Sequence, residues 1–238
     1  MTNMEAELGG ALRFDGMVTG DLLDPVVNGH FSVDTVMLRQ RVVGSVSLDI
    51  TSNPAEIILA NGELKEPGGG TAEFASTIPY GGKDNITVTA TLNGVNAANL
   101  LAALPIALPE RIRDLDGRTS GSVKITGLPN NAEGEVDLLA AKGTIAGQRF
   151  DELKASAVFH GTRIELDPVS IKVGDGSLTA KGFFDRRSTE FEAELSGKSI
   201  PLPLLMAVFP ANNSIPEING LVDLTAKAVG KSNLASSI

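Results

Sequence analysis

The chain repeats itself. The stretch Ile86–Pro105, ITVTATLNGVNAANLLAALP, returns roughly a hundred residues later as Phe191–Pro210, FEAELSGKSIPLPLLMAVFP. Each copy runs from an alternating strand through a glycine into a short apolar segment that ends in proline. Other landmarks recur in the same order. GALRFDG at Gly10–Gly16 matches GSVKITG at Gly121–Gly127, and GLVDLTAKAVG opens again at Gly220. Gly29 matches Gly134, Gln40 and Arg41 match Gln148 and Arg149, and Gly69–Gly70 before Thr71 matches Gly174–Ser177. A repeating chain must be built as an array of one unit. This unit is longer than a solenoid coil and should hold roughly seven or eight strands of ordinary length. The expected layout is a first β-repeat over 8–115 with a short helix near 97–104, and a second over 116–215 with a helix near 203–209. The start of a third follows over 216–230, then a tail over 231–238. Because both termini fall near the start of a repeat, the chain is expected to be part of a longer array.

Alternation of apolar and polar residues sets the strand type. Val46, Leu48 and Ile50 alternate with Ser and Asp. Ile86, Val88, Ala90 and Leu92 alternate with threonines, and Phe191, Ala193 and Leu195 alternate with glutamates. One apolar and one wet side is the pattern of antiparallel sheet with a solvated face. Asn61-Gly62, Asn93-Gly94, His160-Gly161 and Asp175-Gly176 read as turns, with further bends at Asp24-Pro25 and Asp167-Pro168. Two segments break the alternation, Ala97–Leu104 and Pro203–Phe209. They read as one- or two-turn helices, the first capped by Asn96 or Asn99. The fold class expected is all-β: an elongated, curved antiparallel sheet of stacked repeats, groove- or taco-like, with short helical inserts. A sandwich is the alternative, because an aliphatic sheet face needs a cover and a second sheet supplies one.

Composition narrows the function. The chain has 238 residues, 42% of them hydrophobic but only 4% aromatic, with one Tyr and no Trp. Few aromatics argue against surfaces that stack bases or sugars. A net charge of −9 without a basic run argues against nucleic acid as a partner. The absence of cysteine removes disulfides and thiolate metal sites. MTNMEAELGG is polar, unlike a secretory leader, and the longest apolar segments are too short and too proline-broken to span a bilayer.

No catalytic constellation stands out, and the chain reads as a non-enzyme without cofactors. His30 and His160 are isolated, whereas a metal site needs several ligands at close spacing. Gly197-Lys198-Ser199 and Gly230-Lys231-Ser232 lack the first glycine of a phosphate-binding loop, since Glu192 and Thr225 stand there. Glu190, Glu192 and Glu194 read as a solvated strand face that discourages edge pairing.

Phe14–Phe31, FDGMVTGDLLDPVVNGHF, resembles the glycine-spaced pattern of AsmA/TamB-like bacterial envelope proteins. The strand–turn–strand run Phe150–Phe184, its Gly174–Gly182 unit, and the paired segments ending at Pro105 and Pro210 resemble that family too. The resemblance implies a periplasmic protein of a double-membrane bacterium, anchored in the inner membrane in its full-length form. It also implies a long curved sheet whose apolar groove carries phospholipid acyl chains between membranes, or assists assembly of outer-membrane β-barrel proteins. The groove wall expected from the alternation is Phe31, Val33, Val46, Leu48, Ile50, Ile57, Leu59, Ile86, Val88, Leu92, Val123, Ile125, Val136, Leu138, Phe159, Ile164, Leu166, Ile171, Val173, Leu178, Phe191 and Leu195. Plain core packing is the competing reading for each of them. The second functional expectation is a structural or chaperone-like β scaffold that pairs an edge strand with a client. Exposed apolar ends also make self-association expected.

Overall fold

A computed structural model describes residues 8–21, 24–38, 41–81, 85–103, 115–145, 147–204 and 220–231. The strands of the first half are β1 (Leu8–Gly9), β2 (Leu12–Asp21), β3 (Asp24–Leu38), β4 (Arg41–Ser52), β5 (Glu56–Lys65), β6 (Thr71–Pro79) and β7 (Ile86–Asn96), followed by helix α1 (Ala97–Ala103). The second half holds β8 (Asp116–Leu128), β9 (Ala132–Ile145), β10 (Gln148–Gly161), β11 (Arg163–Val173), β12 (Gly176–Asp185), β13 (Glu190–Pro201) and β14 (Leu221–Lys231). A helical turn at Leu202–Leu204 follows β13.

All of these strands form one antiparallel meander in chain order, with β1 and β2 sharing a single place beside β3. The sheet is open: β2 and β14 are its two edges among the described residues. The alternative of a sandwich is thereby excluded. Strands make their substantial contacts only with sheet neighbours, and the apolar face is mostly half-buried rather than buried.

The repeat is visible as architecture. Seven strands precede α1, the two-residue β1 and then β2–β7, and six, β8–β13, precede the turn at Leu202–Leu204. Gly29 of β3 matches Gly134 of β9, and Ile86 of β7 matches Phe191 of β13. The first half thus holds the seven expected and the second half one fewer, and three of the expected turns lie inside strands. Asn61-Gly62 sits within β5, Asn93-Gly94 within β7 and Asp167-Pro168 within β11, each at a register shift. Asn61 (φ 49°) and Gly94 (φ 62°) adopt the left-handed conformation that inserts one extra residue into a strand. Proline fits there because a bulge frees one residue from the ladder. Bulges bend a strand and raise its twist. Most strand pairs here contain one, which curves the sheet. Gly161 (φ 62°) and Gly174 (φ 57°) do make hairpin turns.

The two long margins of the sheet, where strands turn, are unlike. One carries both helical segments and nearly all of the core: Val95, Ala97, Phe150, Ile200 and Leu204 are buried there. Among the described residues the opposite margin has only turns, tied by hydrogen bonds. Arg186 donates to the carbonyls of Pro129 (2.6 Å), Asn130 (3.1 Å) and Gly161 (3.2 Å), and the Ser52 and Tyr80 hydroxyls lie 2.9 Å apart.

Candidate functional site

Residues paired across an antiparallel ladder point to the same face, so the register maps each face without further assumption. One line runs Val33↔Val46↔Leu64↔Ala72↔Leu92↔Gly121↔Leu138↔Ala155. Another runs Ala140↔Leu153↔Ile171↔Leu178↔Gly197↔Leu224. A third runs Val88↔Ile125↔Gly134↔Phe159↔Ile164↔Phe184↔Phe191↔Gly230. Together they make one aliphatic surface that crosses the sheet from edge to edge. Every wall residue expected from the sequence lies on this face. Leu92 and Ile171 are buried, Leu166 is 42% exposed, and the rest are half-buried.

Sequence reasoning missed other members of the face: Leu64, Phe74, Leu153 and Phe184, and at the β2 edge Leu12, Phe14 and Val18. Phe74 stands in AEFAST, where small Ala and Ser neighbours blur the alternation. Its place becomes clear only from its partner. Phe74 pairs with Gly62, and a Cβ on Gly62 would lie 2.5 Å from the Phe74 ring. The ring therefore lies across a glycine and fills the space that a side chain would take.

The two helical segments sit on this face along one margin. Leu100 of α1 packs on Ala72, Leu92 and Val95, beside Leu64 and Leu138. Leu204 packs with Ile200, Ala140, Phe150 and Ile171, beside Leu153, Val173 and Leu178. The helix expected at 203–209 lies outside the described residues beyond Leu204, as do Leu104–Pro109 and the tail from 232.

Asn96, one of the two caps expected, caps α1 by accepting from the Ala98 N–H at 2.8 Å. A polar clamp built on Glu66, absent from the sequence reading, holds the helix in place. The Glu66 carboxylate is buried, with its side chain 3% exposed. Its Oε2 accepts from the Asn96 N–H at 2.9 Å and its Oε1 from Asn99 Nδ2 at 2.7 Å. Arg118 approaches Glu66 at 3.6 Å and also donates to the carbonyls of Gly94 and Gly68. A buried carboxylate needs such partners, and here Glu66, in the β5–β6 turn, finds them at the end of β7, in α1 and in β8.

The opposite face is polar. Lys227 reaches Glu192 at 2.5 Å and Glu194 at 3.1 Å, and Lys181 reaches Glu194 at 2.8 Å. Hydrogen bonds from Lys181 and Lys227 hold the Glu194 carboxyl below the usual glutamate range. Both lysines are pushed up in return, Lys181 by Glu194 and Lys227 chiefly by Glu192. The glutamate row thus lines an interior, lysine-paired strand. It does not protect an edge, because β13 lies between β12 and β14. Asn61 and His30 both bond Asp49 and lower its carboxyl, Asn61 having the larger effect. His160 pairs with Glu133 at 3.5 Å, far along the sheet from His30. Among the described residues no three His, Cys, Asp or Glu side chains are placed to hold a metal ion.

A shallow concavity of about 740 Å³ spans β5–β9. Its side chains come mostly from the polar face, Glu63, Glu73, Thr89, Thr91, Lys124 and Glu135, so it is distinct from the aliphatic surface. No helix among the described residues is long and apolar enough to cross a membrane. Comparison with known protein families, with curated proteins and with solved structures gives no match.

Proposed function

We propose that the aliphatic face is a binding surface for acyl chains, and that the protein is a periplasmic, AsmA/TamB-like module that holds or conducts phospholipid between two membranes. The observation that carries this reading is a continuous apolar surface, edge to edge across an open sheet, with helical cover, among the described residues, on one margin only. A purely structural core would be closed by a second layer. Each acyl CH₂ transferred onto such a surface gains about 0.8 kcal/mol, and charged head groups stay at the uncovered margin in water. An aliphatic wall offers no hydrogen-bond code, so chain length rather than head-group identity sets affinity.

Adjacent residues on opposite faces provide the test. Leu138 lies on the apolar face and Leu139 on the polar one, paired with Lys154 and Ser120. Uptake of a fluorescent phospholipid by the purified protein is expected to be lost in Leu138→Asp and Leu48→Asp and kept in Leu139→Asp, with unchanged circular dichroism. Equal uptake by the Leu138 and Leu139 variants would overturn the reading, as would no uptake by the unaltered chain.

A further inference from the structure

The β14 edge carries a self-complementary pattern. Among the described residues β14 pairs with β13 alone. On its polar-face side the sequence places Leu221, Asp223, Thr225, Lys227 and Val229. Leu221 is 72% exposed and Val229 67%, the least covered large apolar residues of the strand, on the face that elsewhere carries charge. They stand four residues either side of Thr225. Asp223 and Lys227 stand two residues either side of it.

That symmetry is what an antiparallel strand needs in order to pair with itself. With Thr225 opposite Thr225, each Leu221 meets a Val229 and each Asp223 meets a Lys227, both pairs occurring twice. On the apolar face Leu224 meets Ala226 and Val222 meets Ala228. Opposite charges and apolar pairs placed directly across a ladder are favourable. Lys227 already pairs with Glu192 and Glu194, and Asp223 accepts from the Ser199 N–H at 2.6 Å. Both groups are therefore held in place at the edge.

Strand direction selects this arrangement. Every step of the meander is antiparallel, so β2 and β14 run the same way. A translated copy would set β2 against β14 in parallel, unlike every other pair in the sheet. A two-fold axis normal to the sheet sets β14 against β14 antiparallel and keeps both apolar faces on one side. The β2 edge is a poorer template: it contains Gly16 and Gly20 and is interrupted at Gly10.

We infer that β14 is an interaction surface for a second copy of this chain, pairing strand to strand about a two-fold axis at Thr225 and joining two aliphatic faces into one. This rests on the register and does not depend on what the apolar face binds. One strand pair buries little area, so the dimer is expected to be weak and reversible.

The chain has no cysteine, so single thiols can be introduced cleanly. Under mild oxidation at high micromolar protein, Thr225→Cys is expected to form the disulfide-linked dimer in the highest yield. Asp223→Cys, Lys227→Cys and Met17→Cys, on β2, should each give several-fold less. In the cysteine-free chain, Leu221→Glu or Val229→Lys alone should shift the protein to monomer by light scattering. Their combination should restore the dimer, because Glu then faces Lys across the axis. A maximum at Met17, a flat profile, a monomer under all conditions, or a double variant that stays monomeric despite native circular dichroism would overturn the proposal.

Discussion

The two margins of the sheet solve the same problem by different means. Along the helix margin, Ile200 and Leu204 bury against Phe150 and Ile171, and Glu66 clamps α1 over Leu92. Along the opposite margin nothing among the described residues folds back over the apolar face, and Arg186 only ties turn carbonyls together. Apolar stabilisation is therefore concentrated along one side. The other side leaves the aliphatic surface reachable, which is the geometry a bound chain would need.

Breaking the helix margin should cost most. Ile200 is fully buried, and Ile200→Ala is expected to destabilise by about 2–5 kcal/mol in urea unfolding, as large-to-small core changes do. Leu166→Ala, on the same face but 42% exposed, should cost much less. Equal costs would mean that the apolar face is uniformly packed and that the margins do not differ.

Next in size is the clamp. Glu66→Ala leaves the Asn96 N–H and the Asn99 amide without their acceptor and is expected to cost about 1–3 kcal/mol. Hydrogen exchange should speed up selectively across Ala97–Ala103, and fluorescent-lipid uptake should rise as the helix frees Leu92. A uniform change in exchange over the whole sheet would instead make Glu66 part of the global core.

The open margin should respond locally. Arg186→Ala removes three hydrogen bonds to carbonyls and is expected to cost about 1 kcal/mol, with faster exchange confined to the turns near Asn130 and Gly161. Exchange that also quickens at α1 would contradict separate margins.

The smallest effects are electrostatic. The Asp185 carboxyl is lowered first by the Ser188 N–H, and also by the Arg187 N–H. That of Glu152 is lowered first by Lys172. A depressed carboxyl stabilises the fold above its unfolded value and loses that contribution as pH falls through the folded one. The acid limb therefore begins at about pH 4 and extends below it. Lys181 and Lys227 are raised, so their contribution is complete below the ordinary lysine value and disappears as pH rises through the folded one. Asp185→Asn should flatten part of the acid limb in a pH series of thermal melts and leave the alkaline limb as it was. An unchanged acid limb would remove Asp185 from the account.

The alternation made the face legible. Val46, Leu48 and Ile50, or Val136 and Leu138, could hardly point anywhere but to one side of a strand. The spacing of matched landmarks made the repeat legible as well. The bulges were not legible, because Asn61-Gly62 and Asn93-Gly94 have the composition of hairpin turns. Whether such a pair reverses the chain or only kinks it depends on the strands around it. The Glu66 clamp was hidden for a different reason: its partners Asn96, Asn99 and Arg118 come from distant parts of the chain, and a lone glutamate beside Pro67-Gly68 reads as loop. That no second layer covers the face among the described residues could not be seen from periodicity, which reports that a face is apolar and not what covers it.

The most direct test of the account is to bind a phospholipid with a photoreactive acyl chain, illuminate, and map the adducts by mass spectrometry. The account predicts labelling on apolar-face positions such as Leu48, Leu138, Leu166 and Phe184, weighted towards the open margin, with Leu139 and Lys154 unlabelled. Adducts distributed equally over both faces, or none on the apolar face of a protein that retains lipid, would contradict it.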